Sequence, residues 1–192
     1  MLPQIWASAL AVLWLLLPAY IASAFATIPR GRGPAMDFGR TWPRDGRRIL
    51  GPSKTWSGFL FGGFFAMPFA LLEAGLILAA PPDLAIVPVL TASIVDAIPL
   101  AALLTFGAMI GDALGSFIKR RLGRESGTRT LLLDQLPFVL VPIALGFVFY
   151  PALFAEVFGH WQAVLWLIVF TLGLHVAFNW IGYHVGLKKV PW

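Results

Sequence analysis

The sequence predicts an all-α, polytopic integral membrane protein with five transmembrane helices, its amino terminus outside and its carboxyl terminus cytoplasmic. Three observations carry that prediction. Hydrophobic residues fill 59% of the 192 positions and charged residues only 12%, which excludes an ordinary water-soluble domain. The apolar residues fall in five long runs, and crossing a hydrocarbon layer of roughly 30 Å takes about 20 of them. All 14 Lys and Arg sit in three segments, which five crossings gather on one face.

The first run, Ile5 to Thr27, is longer than a signal-peptide core and has no basic residue before it. It is therefore read as a retained helix, although Ala22-Ser23-Ala24 imitates a cleavage site. The second run is Ser57 to Ala80. The third, Leu84 to Ile118, would stretch about 50 Å as one helix, too long for one crossing and too short for two. It is expected to cross once, bent near Pro99 or at the glycines from Gly107 onward. The fourth run is Leu136 to about Phe154 and the fifth Trp161 to about Val185. This organisation is one transmembrane domain over residues 1–192, with cytoplasmic loops at about 29–56 and 119–134.

Seven of the Lys and Arg lie between Arg30 and Lys54, five between Lys119 and Arg129, and the last two are Lys188 and Lys189. Basic residues collect on the cytoplasmic side, so these segments set the orientation. Trp180 and Trp192 read as interfacial anchors, and Lys188 and Lys189 as contacts to anionic lipid. Gly107, Gly111 and Gly115 form one strip of small residues and Gly58 with Gly62 another, as where membrane helices approach closely. With no Cys in the chain, disulfides, thiolate zinc sites and cysteine nucleophiles are excluded, and any metal must use oxygen or imidazole ligands.

The polar residues concentrate at the expected cytoplasmic face. The first loop carries Asp37 and Gly39 and ends in Gly51-Pro52-Ser53-Lys54-Thr55-Trp56-Ser57-Gly58, where a helix begins. A helix amino terminus offers unpaired N–H groups, so Lys54 with the Ser53 or Thr55 hydroxyl suits a phosphate chain. A capped, interface-anchored helix is the plainer alternative. In Gly111 to Gly123, helical spacing puts Asp112, Ser116 and Lys119 or Arg120 on one face, with Arg121 following. An acid this close to cations suits a hard divalent ion beside phosphate oxygens; the alternative is a buried Asp paired with a neighbouring Arg, followed by topology-setting charges. Asp134 is either a second metal ligand or a helix cap, and Asp37 either a turn residue or a ligand contact. Glu73 and Asp96 lie deeper in their runs and read first as interhelical polar contacts. His175, Asn179 and Tyr183 recur every four residues as a polar stripe that lines a cavity or bonds to neighbouring helices.

Taken in order along the chain, these segments resemble the CDP-archaeol synthase family, membrane cytidylyltransferases similar to the CTP:phosphatidate cytidylyltransferases. The resemblance rests on Pro18-Ala19-Tyr20, on Pro34 to Gly39, on Ile49 to Gly58, on Gly111 to Arg121, on Leu133-Asp134-Gln135-Leu136 and on Val190-Pro191-Trp192. The chain departs from it at Ser23, where the family often has Asn, and at Pro137, where it often has a second acid after Asp-Gln-Leu.

The resemblance implies cytidylyl transfer from CTP to 2,3-bis-O-geranylgeranyl-sn-glycerol 1-phosphate, with loss of pyrophosphate, in an archaeal cell membrane. Its partners are then CTP, the diether lipid and the bilayer, with no nucleic acid. It also implies magnesium, held by Asp112 and with it Asp134. Lys54, Lys119 and Arg120 would act on the phosphates alongside Asp112, while Ser53, Thr55, Asp37, Gly39, Ser116 and Arg121 would shape the nucleotide site. Two other classes fit the same sequence: a CTP-dependent polyprenol kinase, and a non-enzymatic anion or lipid transporter suggested by Glu73 and Asp96.

Overall fold

The structure, a computed structural model, describes residues 4–80, 93–126, 128 and 130–187. Seven helices follow one another in these residues: α1 (Gln4–Phe25), α2 (Trp56–Ala79), α3 (Ala97–Arg121), α4 (Leu131–Gln135), α5 (Pro137–Phe149), α6 (Pro151–Phe158) and α7 (Trp161–His184). The readings made for Lys188, Lys189, Trp192, the Val190-Pro191-Trp192 ending and the start of the third run lie outside the described residues.

Among the described residues four helices, not five, are long and apolar enough to cross a membrane: α1, α2, α3 and α7. The fourth run fails because the helix breaks inside it, at Tyr150 and Pro151. Pro137 starts α5 immediately after α4, and Pro151 starts α6 after Tyr150 has left helical geometry. A proline lacks the N–H that would continue a helix and disfavours helical backbone in the residue before it. The 13 residues of α5 reach about 20 Å, well short of the hydrocarbon layer. The described part of the third run gives one membrane-length helix, as expected, but without the expected bend. Residues 93–96 turn, with Ser93 Oγ and Asp96 Oδ2 2.7 Å apart, and an uninterrupted α3 begins at Ala97. Pro99 sits in its first turn, where its missing N–H is not needed and no bend results.

The core forms around α1. Val12, Leu15, Leu16 and Ala19 repeat at helical spacing and are all fully buried. Neighbours α2, α3 and α7 pack on this helix. Tyr20 ties α1 to α7 through its hydroxyl, 3.0 Å from Thr171 Oγ1. The indole N–H of Trp166 adds a second tie, donating to the Ile5 carbonyl at 2.8 Å.

The two glycine strips are seams. A Cβ at Gly62 would strike Met109 and the Ala22 carbonyl, so α2 lies close against α1 and α3. On α3, Gly107 faces Pro142, Gly111 faces the Pro137 carbonyl, and Gly115 faces the Leu133 carbonyl and the Pro137 ring. This strip seats α4 and α5 directly on α3. Close backbone approach at the glycines adds to the apolar packing of Leu104 and Ala108 with Phe138, Val139 and Ile143 in the same core.

The loop before α2 folds over one end of the bundle. Two short antiparallel bridges, Ala35 with Thr55 and Thr41 with Arg48, pleat it. Its centre is Asp37, whose carboxylate accepts from the N–H groups of Gly39, Leu50 and Gly51 at 3.0, 3.1 and 3.0 Å and pairs with Arg48 at 2.5 Å. Gly39 and Gly51 have φ of +79° and +114°, conformations that side-chain-bearing residues rarely adopt. Burial alone would raise the Asp37 carboxyl, but Arg48 and the three N–H donors outweigh it and hold the group well below the usual carboxylate range.

Two predictions come from this packing. Gly111→Ala should lower the Tm of the purified protein by about 5 °C, because overpacking of about 1–3 kcal/mol outweighs the ~1 kcal/mol gained in helix propensity; an unchanged Tm would show that the seam yields. Since the folded Asp37 pKa is depressed, its stabilisation is present above the unfolded value of about 3.9 and lost as pH falls toward the folded value. Asp37→Asn should therefore lower Tm at pH 7 and flatten the decline of Tm below pH 4, as read by thermal scans across pH.

Candidate functional site

A cavity of about 860 Å³ opens at the end of the bundle that the loop covers, where α1, α3 and α7 finish and α2 and α5 begin. That volume lies in the range of small-molecule sites.

Each wall is supplied by a different element. The loop contributes Ser53 and Lys54, the latter set by the Met36 N–H donating to its carbonyl at 2.8 Å. Thr55 N-caps α2, its hydroxyl accepting from the Gly58 N–H at 3.2 Å. One face of α3 contributes Asp112, Ser116, Lys119 and Arg120. Asp134 and Gln135 enter from α4, which the Gly115 contact holds against α3.

The charges meet in pairs. Lys54 Nζ lies 2.5 Å from Asp112 Oδ2, and Lys119 Nζ lies 2.5 Å from Asp134 Oδ1. Both pairs are partly buried, where an unanswered charge is costly and an answered one is held at short range. Asp134 also caps its own turn, accepting from the Thr130 N–H at 2.6 Å. It thus combines the cap with a place on the cavity wall. Arg120 is buried at the wall and donates to the Glu125 carbonyl at 2.9 Å, while the Ser53 and Ser126 hydroxyls lie 3.5 Å apart across the two loops.

Three of the expected site residues stand away from the wall. The Asp37 carboxylate is engaged by Arg48 and three N–H groups, and Gly39 is one of those donors. Arg121 turns outward and clasps the loop to the end of α3. Its guanidinium lies over the Trp42 and Phe117 rings at 5.6 and 5.1 Å, and donates to the Arg48 carbonyl at 2.6 Å. Nη1 lies 3.3 Å from Asp45. These three residues shape the loop that delivers Lys54.

Of the α7 stripe, His175 and Asn179 line the cavity, whereas Tyr183 does not. The His175 ring stacks on Phe138, with centroids 6.3 Å apart, and Phe138 meets Tyr20 edge-on at 5.7 Å. Phe138, Gln135 and Arg30 belong to the wall although the sequence motifs did not single them out for chemistry. Only the adjacency of Gln135 to Asp134 pointed toward it. Glu73 borders a separate small cleft between α1, α2 and α3, far along α2 from Lys54.

For a divalent cation the wall offers two carboxylates, Asp112 and Asp134, and among the described residues no group of three or more acidic or imidazole ligands gathers. Magnesium takes one or two protein carboxylates and completes its shell with phosphate oxygens and water, so this donor set fits it. A structural cage that binds a metal without substrate is not what these residues build.

The family model described as CDP-archaeol synthase, CarS-like, matches residues 5–192. A CDP-archaeol synthase of Archaeoglobus fulgidus is 40% identical over 189 residues, covering 95% of this chain and 97% of the relative. One from Thermococcus gammatolerans is 40% identical over 180 residues, with 94% of each chain covered. A solved intramembrane enzyme for archaeal membrane lipids biosynthesis superposes with a TM-score of 0.62 at 36% identity, over 87% of this chain and 91% of that one. The chain belongs to the CDP-archaeol synthase family of cytidylyltransferase enzymes.

Proposed function

We propose that the cavity joins CTP to the phosphate of an unsaturated diether lipid, 2,3-bis-O-geranylgeranyl-sn-glycerol 1-phosphate, and that it does so at the cytoplasmic face of an archaeal cell membrane. An oxygen of the lipid phosphate bonds to the α-phosphorus of CTP, the bond from that phosphorus to the bridging oxygen breaks, and pyrophosphate leaves. The observation that carries this reading is the two Lys–Asp pairs on one cavity wall at the end of an apolar bundle. One reactant is a soluble polyanion and the other a lipid whose phosphate lies at the bilayer surface, so they meet only at such a place. The cytoplasmic assignment is supported by the basic residues at this end, Arg30, Lys54, Lys119 and Arg120 among them.

The chain's own residues position and neutralise. Lys54, with the Ser53 and Thr55 hydroxyls beside it, grips the triphosphate and stabilises the departing pyrophosphate. Lys119 and Arg120, with Ser116 on the same helix face, hold a second phosphate. The lysines exchange carboxylate partners for phosphate oxygens, so their charge is answered before and after binding. Asp112 and Asp134, released by the same exchange, would hold magnesium, which when bound neutralises phosphate charge. Asp37, Gly39 and Arg121 act at one remove, by holding the loop. No proton-transfer group is needed, because the lipid phosphate is ionised near neutral pH. Orientation and charge stabilisation therefore supply the acceleration.

Purified protein given labelled CTP, magnesium and the lipid phosphate should release pyrophosphate and label the lipid with cytidine. CDP with a phosphorylated polyprenol would instead identify a kinase, and solute movement across vesicles without CTP consumption a transporter. Asp112→Asn should lower this turnover about 100-fold or more while the protein remains extractable with an unchanged helical signal by circular dichroism. Near-normal turnover would remove Asp112 from the reaction.

A further inference from the structure

Gln135 closes α4, one residue beyond Asp134, and stands on the cavity wall. It is only 5% exposed, yet its Oε1 has no hydrogen-bond partner within the protein. A buried acceptor left unmade is unfavourable, and native folds keep few of them. Another buried oxygen in this condition, Thr130 Oγ1, lies off the wall, so a molecule in the cavity would not reach it. The neighbours of Gln135 are fixed: Asp134 by Lys119 and by the Thr130 N–H, and α4 by its seat against Gly115.

Few groups on the reactants proposed above can donate a hydrogen bond to this oxygen. Triphosphate and lipid phosphate oxygens near neutral pH are acceptors. The ether oxygens of the lipid accept, and its chains do neither. Donors occur only on the nucleoside, as the exocyclic amine of an aminopyrimidine or as ribose hydroxyls. The surroundings agree with that half of the molecule. His175, half-buried with its ring against the buried Phe138, stands on the same wall and gives an aromatic edge suited to a base or sugar.

We infer that Gln135 holds the nucleoside half of the nucleotide by accepting an N–H or O–H donor at Oε1, and so sets nucleotide selectivity. This rests on the CTP-dependent reading of the site. Correct donor placement at a polar group is how enzymes reject analogues that lack the donor, because the buried partner is then left unpaired.

The test compares the purified wild type with Gln135→Met, which matches the shape and removes the acceptor, and Gln135→Glu, which keeps an acceptor. KM and kcat are measured with CTP, UTP, 2′-deoxy-CTP and 3′-deoxy-CTP against the same lipid phosphate. Gln135→Met should raise the KM for CTP about tenfold with kcat little changed. If the amine is the donor, the preference for CTP over UTP narrows; if a hydroxyl is, the preference over the corresponding deoxy nucleotide narrows. Gln135→Glu should retain whichever preference the Met variant loses. Wild-type KM and preferences in Gln135→Met, or a change confined to the lipid KM, would overturn the inference. If the Met variant does not fold, loss of the preference in Gln135→Glu overturns it alone. A wild type that forms no cytidine-bearing lipid from CTP would defeat the underlying reading instead.

Discussion

A charge at the end of a membrane bundle is tolerable only where an opposite charge answers it at short range, and the Lys54–Asp112 pair makes that requirement a structural tie. Lys54 comes from the loop and Asp112 from α3, so pairing them brings the start of α2 against the polar end of α3. The Lys119–Asp134 pair does the same for α3 and α4. The cavity is therefore lined by cations and anions in matched numbers at these four positions. A polyanion entering with a cation leaves that balance intact, whereas a lone anion would have to strip a lysine from its carboxylate.

The pairs depend in turn on backbone contact. Asp134 reaches Lys119 only because α4 and α5 lie directly on the Gly107, Gly111 and Gly115 strip. On the other side, Asp37 and the Arg121 clasp give the loop a fixed shape, so that Lys54 arrives at a defined place just before the Thr55 cap. Residues remote from the cavity thus set its geometry.

Hydropathy located α1, α2 and α7 within a few residues of their observed ends, because each is one unbroken apolar run. It overcounted crossings at Pro151, where the residues remain apolar while the helix is interrupted; hydropathy measures transfer to lipid and is blind to a missing N–H. The cavity was partly legible. Helical spacing joined Asp112, Ser116, Lys119 and Arg120 on one face, and the motif before α2 pointed to Ser53, Lys54 and Thr55. The engagement of Asp37 and Arg121 within the fold was not legible, since a loop acid and a terminal arginine look alike whether they face ligand or chain. Gln135 was hidden for a different reason: an amide carries no charge, and its significance lies in a partner it does not have.

The brevity of α5 has a consequence for the surrounding bilayer. Neighbouring helices of 22 to 25 residues are about 33–37 Å long, while α5 reaches about 20 Å before the chain turns at Pro151. Leu140, Phe147, Val148 and Phe149 of that short helix are exposed, an apolar surface suited to hydrocarbon tails. Hydrophobic mismatch is thereby confined to one flank, and lipids there must compress while those beside α2 need not. The annular shell is uneven in depth, shallowest along the helix that begins at the cavity mouth.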